Sequence, residues 1–446
     1  TKVDANNVTL DGIDSSGYTA YSSGGTIRKM LAPSCGTFFE QRLVVAGMNN
    51  SQMIKFSRTN SFSDFTTGST DADAPLAYSI VSEKVDMVLW LVSEEFLIVG
   101  TVGGVWKMGG ASKSEPITPT SVNAKRQSTL GCLDMSAILT SDSILCVRRG
   151  GRVINEIGYK FETDKWEGSN LNLLSRHITA GGIKCIAYQQ EPFSILWCVR
   201  GDGQLLGMTY EKGQNVIGWV RVVTDGEIES VAVLPQNDTE DQVWISVKRT
   251  IDGATQRYVE YFTELDFERE IQDSFFVDSG LSWDGGAAAT DITGITNADP
   301  AVVTHGSAHG FSDGYRVKIT GVEGMTEVNC SSTKAYVVAN ATELTYELEG
   351  VDSTEWGEYD EGGQAQRVAI SFSGADHLEG KTVSILADGA VHPPQEVESG
   401  GFDMTYYANQ VHIGLPYYPT MKTMDIEAGS QDGTAQGKTK KVSKMT

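Results

Sequence analysis

Five apolar runs recur along the chain at nearly constant spacing. They are Leu43-Val44-Val45-Ala46-Gly47, Phe96-Leu97-Ile98-Val99-Gly100, Ser143-Ile144-Leu145-Cys146-Val147, Ser194-Ile195-Leu196-Trp197-Cys198-Val199 and Gln242-Val243-Trp244-Ile245-Ser246-Val247. Measured between Leu43, Leu97, Ile144, Ile195 and Val243, the intervals are 54, 47, 51 and 48 residues. Each run is short, rich in β-branched residues and followed by a turn and a second strand-like segment. A period of this length built from strand pairs predicts a β-propeller. A single small sheet cannot cover both of its faces, whereas sheets stacked radially cover each other.

The second segments support the repeat. They are Met53–Ser57, Gly104–Met108, Arg152–Ile157, Gln204–Tyr210 and Gln256–Tyr261, reached through Asn49-Asn50, Gly-Gly or Asp-Gly turns. Such pairs favour the positive backbone angles of tight hairpins. Glycine is abundant (48 residues) and proline scarce (11), which fits many turns and little helix. One short helix is expected over 170–174, with Ser169 as its N-cap.

Residues 292–367 change character. Gly314–Thr320 alternates apolar and polar residues, and Ala335–Val338 and Leu344–Leu348 flank a hairpin signal at Asn340–Glu343. Between Ala335 and Gln366 there are eight acidic residues and no Lys or Arg. This reads as a small inserted β domain with an acidic rim. Strand patterning resumes at Lys381–Leu386 and Gln410–Gly414, and the close is basic, with Lys438, Lys440, Lys441 and Lys444. The expected organisation is all-β. A propeller of about five to six blades occupies 1–290, a small β-barrel 291–367, and a β segment 368–446 completes the propeller or forms a platform.

With 35 Lys and Arg against 58 Asp and Glu, the net charge is −23. That argues against tight DNA binding, which needs a cationic surplus. No apolar run approaches the roughly 20 residues of a spanning helix, so no membrane insertion is expected. The start, Thr1-Lys2-Val3-Asp4, lacks an initiator Met and a signal-peptide pattern, and reads as trimmed.

Further runs, in order, carry a family resemblance. They include Ile117–Val122, Lys125–Ser128, Arg149–Val153, Tyr188–Trp197, Asp225–Val233, Arg249–Gly253, His377–Lys381, Leu386–Gly389 and Val411–Tyr417. Together they resemble the tail nozzle proteins of short-tailed bacteriophages, also called tail tubular or stabilisation proteins. The resemblance covers roughly 30–290 and 368–446. Residues 291–366 are similar to a small β-barrel that phage tail proteins carry as an insertion. The resemblance implies a virion structural protein, not an enzyme, assembled in the host cytoplasm. It implies self-association into a hexameric ring below the portal and the head–tail adaptor. Fibres or spikes would dock outside, and genomic DNA would pass through the lumen without specific binding. No cofactor, metal or catalytic residue is implied. The alternative is a propeller-type glycan-binding protein or glycoside hydrolase.

Several residues invite a chemical reading, and each has a plainer one. His305 and His309 have the spacing of two helical metal ligands, but their glycine-rich surroundings predict a loop. Asp71 and Asp73 lack the glycine and distal glutamate of a calcium loop. Arg200-Gly201-Asp202 falls in an expected hairpin turn. Glu94-Glu95 and Glu240-Asp241 are adjacent carboxylates, which point apart on a strand, whereas a glycosidase needs two that converge. Trp90, Trp106, Trp197, Trp219 and Trp244 are expected to fill space between sheets. None of the six cysteines forms a Cys-x-x-Cys pair. Cys185 and Cys198 flank a turn and would face each other across a hairpin, remaining thiols in a reducing cytosol.

Overall fold

The computed structural model describes residue 16 and residues 32–420, except 49–50, 83–85, 113–114, 142, 162–164, 237–238, 265–269 and 287–288. The Asn49-Asn50 turn, the start at Thr1 and the basic close at Lys438–Lys444 lie outside the described residues. Among those described, strands dominate and the only helices are single 3-10 turns.

The five apolar runs are each the second strand of a separate antiparallel sheet whose strands follow in chain order. The first sheet holds Cys35–Phe39, Arg42–Ala46, Met53–Phe56 and Leu76–Ser79. The second holds Val88–Ser93, Leu97–Thr101, Val105–Gly109 and Asn123–Ser128. The third holds Ile138–Leu139, Ile144–Val147, Ile154–Lys160 and Lys165–Asn170. The fourth holds Ile183–Gln189, Ile195–Arg200, Leu205–Glu211 and Val216–Val222. The fifth has three strands, Glu227–Leu234, Gln242–Ile251 and Ala254–Tyr261.

The run in the second strand is apolar throughout because both faces are covered. Every residue of Leu97–Thr101 and of Ile144–Val147 is buried. The last strands, such as Asn123–Ser128, carry polar residues because they are exposed or half-buried. The chain divides into two compact units, one of 1–150 with 154–170 and one of 151–153 with 171–446.

In the first unit, Phe56, Ile54 and Val44 of the first sheet share a core with Val99, Leu97 and Met108 of the second. Trp90 and Ile98 of the second share another with Ile144, Cys146 and Trp166 of the third. The first strands of the first and second sheets also lie side by side. Buried Arg42, in the second strand of the first sheet, holds the loop between the third and fourth strands. Its guanidinium donates to the carbonyls of Ser57 (2.8 Å), Ala72 (2.7 Å) and Ala74 (2.8 Å).

In the second unit, Trp197, Val199 and Leu205 of the fourth sheet pack on Ile228, Val231, Val243 and Val247 of the fifth. A further four-stranded sheet follows, in the order Asp278–Asp284, Gln410–Leu415, Thr382–Ala387, Ala390–Glu396. Between its first strand and the rest lies a closed barrel of six strands. Around the barrel these are Thr290–Ile295, Val302–His305, Thr345–Leu348, Tyr336–Ala339, Arg316–Val322 and Gly362–Ser373, the last pairing back to the first. The far end of Gly362–Ser373 leaves the barrel and pairs with Gly401–Ala408.

The structure departs from the sequence pattern at two places. Residues 171–181 form turns rather than a helix, and Ser169 sits in the strand Lys165–Asn170 with its hydroxyl donating to Glu156 (3.0 Å). The strand continues through the supposed cap because Ser169 pairs with Glu156 in the ladder. Cys185 and Cys198 do not face each other. The register sets Cys198 opposite Ile186 and Cys185 opposite Val199, so they fall on alternate sides of the sheet, and all six cysteines are free.

The barrel's entry and exit meet. The Gly285 amide donates to the Asn409 carbonyl (2.7 Å), and the Asn409 side-chain amide donates to the Arg367 carbonyl (2.8 Å). The barrel core, around Val303, Ile319 and Tyr346, is separate from the core around Ile385, Phe402 and Ile413. Excising residues 286–366 and joining Gly285 to Arg367 is therefore expected to leave a cooperative melt with a midpoint within a few degrees of the parent. A broad, non-cooperative transition in a thermal scan would show that the barrel is integral to the second unit.

Candidate functional site

The barrel contains the densest group of chemically capable side chains that the sequence marked. Val302–His305 is a strand with alternating burial, and its last residue turns inward, so His305 is 2% exposed. The glycine-flanked loop after it brings His309 back against His305 and Tyr346, 3% exposed. The rings are 5.2 Å apart, His305 stacks on Tyr346 at 5.4 Å, and His309 stacks on Phe311 at 5.1 Å. The spacing that suggests a helix is thus used by a strand end and a loop.

Hydrogen bonds set the two imidazoles differently. His305 Nδ1 lies 3.0 Å from the Asp291 carbonyl, so it carries the proton and donates. Its Nε2 is buried without a hydrogen-bond partner. His309 Nδ1 accepts the Phe311 amide (3.0 Å), which leaves its proton on Nε2, 3.4 Å from the Thr345 carbonyl. Among the described residues no group of three or more His, Cys, Asp or Glu is placed to hold a metal. The hydroxyls of Tyr346 and Tyr336 are likewise buried without a partner, and burial raises both above the usual phenol range. Tyr346 was invisible as a partner in the sequence, which placed it only in a strand-like run beside a hairpin signal.

Burial, and then the neighbouring His309, hold His305 down to about 4, from an ordinary 6.5. The folded barrel therefore binds fewer protons at this site than the unfolded chain. Stability is thus highest above pH 6.5 and falls as pH drops from 6.5 towards 4, where the unfolded chain takes up a proton that the folded barrel refuses. His305→Phe keeps the stacking and removes the titration. Urea midpoints at pH 7 and pH 4.5 should fall less in this variant than in the parent. An equal fall in both would show that His305 is not kept neutral by the fold.

The other marked residues are held by structural contacts. Asp73 pairs with Arg58 (2.9 Å), while Asp71 accepts the Ser69 hydroxyl (2.6 Å). Arg200 bridges Asp202 and the Ile178 carbonyl (2.9 Å), which locks the tripeptide as a turn. Glu94 and Glu95 lie in an exposed hairpin connection. Asp241 Oδ2 accepts the amides of Gln190 (2.8 Å) and Glu191 (3.1 Å) and clamps their turn. Trp90, Trp106 and Trp197 are buried between sheets, while Trp219 and Trp244 are half-buried. The Trp197 indole donates to Gln189 (3.0 Å) and that of Trp244 to Gln242 (3.1 Å).

Residues 298–369, which take in five of the barrel's six strands, match the FCCH domain of ubiquitin-activating enzyme E1. No curated protein sequence matches the chain. Among solved structures, a chain of a mitotic checkpoint complex aligns at TM-score 0.31 and 12% identity, covering 82% of this chain and 99% of its own. A luciferin-regenerating enzyme aligns at TM-score 0.23 and 12% identity, covering 51% of this chain and 88% of its own.

Proposed function

We propose that this chain is a structural subunit of a short-tailed phage tail, a ring or nozzle through which genomic DNA leaves the virion. The observation that carries the reading is the set of consecutive sheets with face-to-face cores, first on second, second on third, fourth on fifth. In this reading they are propeller blades around one axis, and the later four-stranded sheet is a sixth. A closed ring of blades exposes few strand edges and makes a rigid spacer. The barrel, joined at one point of its sheet, is an appended module on that spacer. Portal and adaptor are the partners above, and fibres or spikes those outside. The hydrolase alternative requires two converging carboxylates, and of the pairs the sequence marked for it, Asp241 is committed to backbone amides.

Sedimentation with and without the portal–adaptor complex tests the reading. A ring that forms on or with that complex is expected, and a monomer that ignores it, together with turnover in a glycosidase screen, would replace the nozzle by the enzyme. The charge of −23 leads to a further expectation, that isolated protein shows no measurable duplex DNA affinity at physiological salt. Salt-sensitive binding in an anisotropy assay would contradict a smooth channel.

A further inference from the structure

Among the described residues the fifth sheet has three strands, where each of the four before it has four. Its hairpin turn is Asp252-Gly253, with φ of 46° and 71°, a two-residue turn with both angles positive. In such a hairpin the flanking pair, Ile251 and Ala254, exchanges both backbone bonds, and the pattern then alternates along the ladder. The N–H and C=O groups of Ala254, Gln256, Tyr258 and Glu260 therefore point into the sheet. Those of Thr255, Arg257, Val259 and Tyr261 point outward. Among the described residues no strand pairs with this outer edge. Val259 is 71% and Tyr261 52% exposed.

The same strand forms one wall of a cleft of about 430 Å³, through Ala254, Gln256 and Tyr258. The rest of the lining includes Asp252, Asp376 and Glu379, and no Lys, Arg or His. Glu379 is fixed in place by the amides of Ser399 (2.9 Å) and Gly400 (2.7 Å). Basic residues nearby are already engaged. Arg249 pairs with Glu260 (2.8 Å), Lys381 with Asp225 (2.8 Å) and Arg257 with Glu229 (2.8 Å). The cleft thus holds three carboxylates and a tyrosine ring without a balancing cation in its lining.

We infer that this edge receives an extended basic peptide segment as a fourth strand. Its backbone pairs with the outward groups of Thr255, Arg257, Val259 and Tyr261. Lys or Arg side chains on alternate positions reach Asp252 and Asp376 and cross the face of Tyr258. The site is independent of the nozzle reading, since it rests on one sheet edge and one cleft.

The test is fluorescence anisotropy of the full chain with a labelled short peptide in which Lys alternates with Val. Two controls separate strand addition from adhesion to an acidic surface. One is the same peptide with alternate backbone amides N-methylated, which keeps its charge and removes its donors. The other is the protein carrying Asp252→Asn and Asp376→Asn, in which Asn tolerates the positive φ at 252. The unmodified peptide is expected to bind, the N-methylated peptide to lose binding, and the double variant to bind about tenfold or more weakly. Equal binding of the N-methylated peptide, equal binding by a correctly folded double variant, or no binding of the unmodified peptide would each overturn the inference.

Discussion

Replacing Trp90 by Ala is expected to lower the stability of the first unit by about 3–5 kcal/mol, the range for removing a buried Trp or Phe side chain from a well-packed core. Trp90 is 2% exposed and lies in the first strand of the second sheet, within the core shared with the third. Its ring rests directly on Gly100 of the neighbouring strand, where a Cβ would come within 1.9 Å of the indole. The glycine is therefore part of the same contact, and Gly100→Ala should also destabilise, because the rigid ring has no room to retreat. Urea titration followed by tryptophan fluorescence and circular dichroism measures both. A loss below about 1 kcal/mol for Trp90→Ala would mean that the second and third sheets do not depend on each other for burial.

Arg249→Met is the second large effect, and it falls on the fifth sheet. The guanidinium is 2% exposed and makes a two-pronged contact with Glu260, Nε to Oε1 at 2.9 Å and Nη2 to Oε2 at 2.8 Å. It also donates to the Thr224 hydroxyl (3.0 Å) and the Asp225 carbonyl. Removing the cation leaves the Glu260 carboxylate, whose side chain is only 18% exposed, with the Ser279 hydroxyl (3.1 Å) and no charged partner from Arg249. Breaking such a pair from one side costs about 3–5 kcal/mol, whereas replacing both members by apolar residues costs far less. The double variant Arg249→Met with Glu260→Leu should therefore recover most of the stability lost by the single one. A double-variant cycle read by chemical denaturation checks this. If the two losses simply add, the pair is not the source of the effect.

The sequence marked the central strands clearly because they are covered on both faces and leave continuous apolar runs. Ile144–Val147 shows this: all four residues are apolar and all four are buried. It marked the outer strands poorly. Asn123–Ser128 reads Asn-Ala-Lys-Arg-Gln-Ser, and its membership of the second sheet comes from backbone pairing with Val105–Gly109. The stretch after Ser169 misled because Asn-Leu-Asn-Leu-Leu suits a helix start as well as a strand followed by turns, and the ladder with Glu156 decides it.

Arg42 shows a different limit. It opens an apolar strand and gives no local sign that carbonyls as far along as Ala74 will surround it. In the barrel, the interval between His305 and His309 was visible but their shared neighbour Tyr346 was not, since only closure of the strands brings it there. The carboxylate cleft was wholly hidden. Asp252 belongs to a hairpin turn and Asp376 to a 3-10 turn far along the chain, and nothing in their spacing links them.

The nozzle reading makes one demand that a single measurement addresses, which is a cryo-EM reconstruction of this chain assembled with the portal–adaptor complex. A symmetric ring with an open lumen is expected, in which the sheets of each subunit stand around a common axis with the barrel projecting from one of them. Subunits that stay unassembled, or whose strands form two sheets stacked face to face, would contradict it.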